Sequence, residues 1–169
     1  MRINLKQLKL HQEDAVYFDY KGSMDDRFLA GSGASIASPV EISLMVKRQN
    51  QVFYGSGALQ TVIEYSCSRC LKLFTRPISL ELSFIIAEAG NEDRYDEEVL
   101  LMEDDEADIT AYIEGTIFTE IPLNPICDPS CKGLCPFCGG DKNIDECHCV
   151  NEEIDPRWEK LKKLNREGG

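Results

Sequence analysis

Six of the eight cysteines in this chain fall between Cys127 and Cys149, at spacings C-x3-C-x3-C-x2-C-x8-C-x-C. The other two, Cys67 and Cys70, form a C-x2-C far upstream. No other feature constrains the fold as tightly. Two cysteines three apart can ligate one ion from a single turn. A glycine after the second, as in CPFCGG, can take the positive φ that aims backbone N–H groups at thiolate sulfur. Four thiolates complete a tetrahedral shell, so eight cysteines suit two shells with none left over. The candidate metal ligands are Cys67, Cys70, Cys127, Cys131, Cys135, Cys138, Cys147 and Cys149, and the candidate cofactor is a pair of structural zinc ions. His148, between two of these cysteines, is an alternative ligand.

Three other uses of the cysteines compete with zinc. A disulfide framework needs an oxidising compartment. The N-terminal MRINLKQLKLHQED has scattered charges and no apolar core of signal-peptide length, so the chain reads as cytoplasmic. A redox C-x2-C at Cys67 would open a helix, but LKLFTRPISLEL alternates like a strand and contains Pro77. An iron–sulfur cluster also takes four thiolates and is open on spacing alone.

The remaining sequence describes a β-rich body. Val40, Ile42, Leu44 and Val46 alternate along one strand, and Gln49-Asn50-Gln51 forms a turn into the next. There Leu59, Thr61, Ile63 and Tyr65 share a face, with a bulge or bend expected at Gly55 and Gly57. A third strand, 77–88, carries Ile78, Leu80, Leu82, Phe84 and Ile86. Residues 15–20 are a further strand, 21–39 a loop, and 3–10 are ambiguous between strand and helical turn. Ile109, Ile113, Ile117 and Ile121 recur every four residues, which predicts an amphipathic helix over about 108–121 with Asp108 at its first turn and Pro122 as its stop. Asp155-Pro156 opens a short C-terminal helix.

The expected class is therefore α+β: an antiparallel sheet or partly open barrel with one amphipathic helix, then a Cys-rich zinc module and a terminal helix. The expected division is 1–122 for the β-rich domain, 123–153 for the zinc module joined to Cys67 and Cys70, and 154–169 for the basic helix. No apolar run is long enough for a membrane span.

Charge is uneven. The formal net charge is −12, but residues 92–108 hold ten acids and one Arg. That strip reads as a solvated loop, or as a docking strip for a basic partner. The basic groups lie near the cysteines (Arg69, Lys72, Arg76, Lys132 and Lys142) and in the terminal helix (Arg157, Lys160, Lys162, Lys163 and Arg166). They are candidate RNA contacts, or else solubilising charges that screen thiolate clusters. Catalytic signatures are missing. The only histidines, His11 and His148, have no recognisable partner in sequence, and the GSG runs lack the Lys and helix of a phosphate loop.

Two stretches, YSCSRCLKLFTRPISLEL and EIPLNPICDPSCKGLCPFCG…N…CHC…DPRWEKLKKL, together resemble the YceD-like family of large ribosomal RNA subunit accumulation proteins. Cys67, Arg69, Cys70 and Leu71 match its CxRCL element, and Leu123, Pro125 and Cys127 its helix-exit element. Gly133 to Gly139 match its GLCPxCG element. The resemblance implies a ligand division: Cys67, Cys70, Cys127 and Cys131 on one ion, Cys135, Cys138, Cys147 and Cys149 on the other. It also implies a non-enzymatic factor that supports ribosomal RNA accumulation and large-subunit assembly. Its partner would be ribosomal RNA, an assembly intermediate or a basic ribosomal protein, with no membrane and no small-molecule substrate. An acidic adaptor or chaperone that never touches RNA is the competing expectation.

Overall fold

The computed structural model describes residues 1–10, 15–50, 52–88 and 99–149. The expected terminal helix at 154–169, with Arg157, Lys160, Lys162, Lys163 and Arg166, lies outside the described residues, as do 92–98 of the acidic strip.

Eight strands form one sheet: β1 (Arg2–Asn4), β2 (Val16–Gly22), β3 (Ala34–Ile36), β4 (Val40–Gln49), β5 (Val52–Ser66), β6 (Leu73–Glu88), β7 (Val99–Glu103) and β8 (Glu106–Asp108). The path is β1-β8-β7-β6-β5-β4-β2, with β3 also paired to β5. Among the described residues two α-helices accompany it, α1 (Lys6–Leu10) and α2 (Thr110–Glu120), with a 3-10 turn at Arg27–Leu29. The ambiguous N-terminus is thus both a strand and a helical turn.

The alternating stripes point inward. Val40, Ile42, Leu44 and Val46 of β4, Leu59, Ile63 and Tyr65 of β5, and Leu82, Phe84 and Ile86 of β6 are all buried in one core. Each fully buried side chain of this kind is worth about 1.5–3 kcal/mol. In a flat sheet β1 and β4 would lie about 24 Å apart, five steps of about 4.8 Å. Yet Arg48 on β4 donates to the Leu8 and Lys9 carbonyls of α1, the helix that follows β1, at 3.4 and 3.3 Å. The sheet is therefore curled and barrel-like, and α1 sits across its opening. Lys9 fastens α1 further through Glu88 (2.7 Å) and Asp105 (2.6 Å).

Several expectations need correction. The sheet is not wholly antiparallel, because β7 runs parallel to β6 from Ile85↔Val99 to Glu88↔Met102. Within the acidic strip, residues 99–108 form a hairpin instead of a loop. Asp104 and Asp105 both take positive φ (49° and 64°), the two-residue turn geometry that matches strand twist and that Asp tolerates. Met102 and Ala107 bury themselves on either side of it. The loop expected at 21–39 contains β3, because β5 runs past the end of β4 and Ile63–Tyr65 would otherwise lack a partner there.

No bulge interrupts β5 at its glycines: Gly55 faces Val46 and Gly57 faces Leu44 in continuous register. Gly57 answers to close approach instead. A Cβ there would sit 2.0 Å from the Ser43 carbonyl oxygen.

β6 begins at Leu73, four residues before the expected start. Pro77 is accommodated because its partner Val62 sends its own N–H to Ser38 Oγ and accepts from the Ala37 amide, both away from β6. Pro77 therefore occupies a site where no ladder donor is needed.

α2 buries Ile113 and Ile117 beside Ile109, and Ile121 is half-buried. It starts two residues after Asp108, whose carboxylate accepts the Thr110 amide at 2.9 Å and hydroxyl at 2.5 Å. Among the described residues no helix is long and apolar enough to cross a membrane.

Candidate metal centre

β5 and β6 end their ladder at Ser66↔Leu73, and the loop between them is the first cysteine knuckle. The Cys67 amide donates to the Lys72 carbonyl and the Leu71 amide to the Cys67 carbonyl, both at 2.9 Å. Leu71 closes the turn at φ 62°, a left-handed position held by a residue that rarely adopts it.

Past α2, Pro122 ends the helix and the chain docks on this knuckle. The Ser68 amide donates to the Pro125 carbonyl (2.8 Å) and the Cys127 amide to Cys67 Sγ (3.4 Å). Arg76 fixes the same segment through the Ile126 carbonyl (2.7 Å) while lying over the Phe74 ring.

These bonds gather Cys67, Cys70, Cys127 and Cys131, whose sulfurs all lie within 4.8 Å of one another. Cys67 and Cys131 are 4.0 Å apart, and Cys70 and Cys127 3.7 Å. A second group, Cys135, Cys138, Cys147 and Cys149, meets the same 4.8 Å limit. Its knuckle closes through Cys135 and Gly140 (2.8 Å) and through Gly139 and the Cys135 carbonyl (2.9 Å), with Gly139 at φ 72°. Cys138 and Cys147 are 3.7 Å apart. His148 is exposed and joins neither group. None of the eight cysteines is paired in a disulfide.

The thiol electrostatics fit a cation in each group. Burial opposes charge on Cys67, but the backbone N–H groups of Cys127, Cys70 and Arg69 outweigh it and lower its pKa to about 6. Cys127 is pushed up to about 12 by burial and by the neighbouring Cys67 and Cys70 sulfurs. In the second group the Cys138 and Phe137 amides draw Cys135 down to about 6, while Cys147 and Cys138 push Cys149 up to about 12. Four thiolates packed this closely repel one another, and a divalent ion removes the penalty. Sulfurs bonded at about 2.3 Å around one tetrahedral ion stand about 3.8 Å apart, which the closest pairs match. Both groups can therefore hold a metal ion.

A family model described as large ribosomal RNA subunit accumulation protein YceD matches residues 55–165, and so covers both knuckles. The chain belongs to the YceD family. A relative from Arabidopsis thaliana, named large ribosomal RNA subunit accumulation protein YCED homolog 1, chloroplastic, is 28% identical over 159 residues, covering 77% of this chain and 50% of its own length. An uncharacterized Mycobacterium tuberculosis protein is 29% identical over 128 residues, covering 74% of this chain and 61% of that one. YlbN of Bacillus subtilis is 24% identical over 165 residues, covering 97% and 96%. The chain thus spans 50% of the plant relative and 61% of the mycobacterial one. No solved structure matches it.

The basic residues of this YceD chain divide by what they touch. Arg69 Nη1 donates to the Cys131 carbonyl (2.9 Å) and the Pro129 carbonyl (3.4 Å), and its own carbonyl accepts the Leu134 amide (2.9 Å). Arg69 and Arg76 therefore hold the cysteine-bearing segment in place. Lys72 and Lys132 are exposed, and Lys142 is half-buried with its amide on the Gly133 carbonyl (3.0 Å).

Asn143 is a bridging residue at the site that cysteine spacing alone does not reveal. Its Nδ2 reaches Cys131 Sγ at 3.6 Å and its Oδ1 accepts the Lys132 amide at 2.8 Å, which links the second module to the first group. The only signal for it in sequence is the lone N between GLCPFCG and CHC.

Proposed function

We propose that each cysteine group binds one structural zinc ion and that the protein is a non-enzymatic factor for ribosomal RNA accumulation and large-subunit biogenesis. The observation that carries the metal reading is the pair of four-sulfur sets, each with all sulfurs within 4.8 Å of one another and its closest pair 3.7 Å apart. Zinc suits an all-thiolate, four-coordinate shell with no open position for a reacting water. A multi-iron cluster would spread its four cysteines wider than one ion does, so four sulfurs all within 4.8 Å of one another favour a single ion in each group.

The first ion would clamp residues 123–153 to the β-rich part, 1–122, with 154–169 following as a basic helix. Ribosomal RNA or an assembly intermediate would contact Lys72, Lys132 and Lys142, and the basic residues 157–166. Arg69 and Arg76 would support that surface from beneath. The family's name favours a ribosomal partner, and the cytoplasm is the compartment in which this reading operates.

The test is a pulldown at moderate salt with and without nuclease. Recovery of ribosomal RNA, with a salt slope that falls when Lys160, Lys162 and Lys163 are removed, supports direct RNA contact. A basic ribosomal protein retained after nuclease would instead favour the adaptor reading. That reading draws on the −12 net charge and on the exposed acids Glu103 and Asp104 at the β7–β8 turn.

A further inference from the structure

The two cysteine groups differ in how they face solvent. In the first, Cys67, Cys70 and Cys131 are buried and Cys127 is half-buried, packed against Phe74, Ile126 and Leu134. In the second only Cys135 is buried, while Cys138 and Cys149 are exposed and Cys147 is half-buried. Their anchoring differs in the same direction. The first group draws ligands from the β5–β6 loop and from the segment after α2, and Asn143 adds a contact from a third stretch of chain. The second takes all four sulfurs from residues 135–149.

Attack of a thiolate on a small oxidant requires access as well as thiolate character. We propose that Cys138 and Cys147 form a peroxide-sensitive pair, so that the second group responds to oxidation while the first remains a fixed clamp. The proposal rests on the reading that each group holds zinc.

In the oxidation the exposed Cys138 thiolate attacks hydrogen peroxide. The O–O bond breaks, one oxygen stays on sulfur as a sulfenic acid, and the other leaves as water after taking a proton. The Cys147 thiolate, 3.7 Å away, then attacks that sulfur and expels hydroxide, which is protonated to a second water. Two electrons pass from the two sulfurs to the peroxide, one S–S bond forms, and two protons are consumed. Cys135 and Cys149 remain as an incomplete shell that releases its ion. Residues 135–149 exchange a four-sulfur cross-link for the single Cys138–Cys147 disulfide, whereas the β5–β6 knuckle and the sheet keep theirs.

The full chain is assayed for metal before oxidation, and fewer than two zinc ions would remove the premise and the proposal with it. With both ions present, a few equivalents of hydrogen peroxide should release one about tenfold faster than the other. Mass spectrometry after alkylation should find Cys138 joined to Cys147, with the Cys67 group still reduced. Dithiothreitol and added zinc should restore the lost ion. Simultaneous release, first release from the Cys67 group, release without the disulfide, or no release at all would overturn the proposal. Cys138→Ser, which should start with only the ion of the Cys67 group, should show the slow phase alone and so assign that phase to the first group; a fast phase in this variant would overturn the proposal. If that variant does not fold, disulfide mapping on the unaltered chain decides the question alone.

Discussion

Arg69 reaches across 62 positions of sequence to Cys131, its Nη1 donating to the Cys131 carbonyl at 2.9 Å. One side chain from the β5–β6 loop thus braces the backbone that presents a sulfur from the far end of the chain. Arg69→Ala should lower stability by about 1.5–3 kcal/mol, the usual net value of a hydrogen bond from a charged donor, and leave the metal content unchanged. Denaturant unfolding with parallel metal analysis checks it. Lower RNA affinity at unchanged stability would instead make Arg69 a direct RNA contact.

The two groups should differ in what they support. Structural zinc contributes apparent binding free energy of about 10–16 kcal/mol, comparable with the whole stability of a domain at about 5–15 kcal/mol. If the first group holds the proposed ion, Cys67→Ser would remove the link between the sheet and the segment after α2, so it should destabilise the whole molecule. Cys138→Ser should melt only the local knuckle at 133–149 and leave β4, β5 and β6 protected in hydrogen exchange. Equal, global loss from both would mean one cooperative cluster.

Gly57→Ala should destabilise by about 1–3 kcal/mol, the common range for overpacking. Its new Cβ would meet the Ser43 carbonyl and Leu44 Cα, both backbone and unable to yield cheaply. Thermal melting measures the effect, and a shift within error would show that β4 and β5 can separate locally.

Asp108 carries a pH signature. Its carboxyl is held at about 2 by the Thr110 hydroxyl, the Thr110 amide and the Met1 amine. Because that value lies below the unfolded Asp value of about 3.9, the stability it adds is complete above about pH 5 and lost as pH falls, about half of it by pH 3. The side chain is 51% exposed, so solvent screening limits the contribution to under about 1 kcal/mol. Asp108→Ala should be less stable than the parent at pH 7, by a margin that shrinks between pH 5 and pH 3. A margin independent of pH would assign the loss to the turn rather than to the charge. The outcome also separates the described end of the acidic strip, which is structural at Asp105 and Asp108, from a purely solvated one.

The long strands were legible because alternation over β4, β5 and β6 reports a buried face directly. Short elements were not. β3 has three residues and no stripe, and its existence follows from the length of β5. The β7–β8 hairpin is hidden by its charges, since Asp104 and Asp105 look like loop residues yet supply the left-handed turn. Parallel pairing of β7 with β6 is a non-local choice that no local pattern encodes. Spacing points to two four-sulfur groups and the family resemblance to their division, and both groups form, whereas the carbonyl partners of Arg69 and Arg76 lie far off in sequence and leave no local signal.

The most direct measurement is native mass spectrometry of the purified full chain, with elemental analysis of the same sample. Two zinc ions per chain are predicted, falling to one in Cys138→Ser, as four thiolates per tetrahedral ion require. One zinc in the unaltered chain, or iron with visible absorption, would contradict the account.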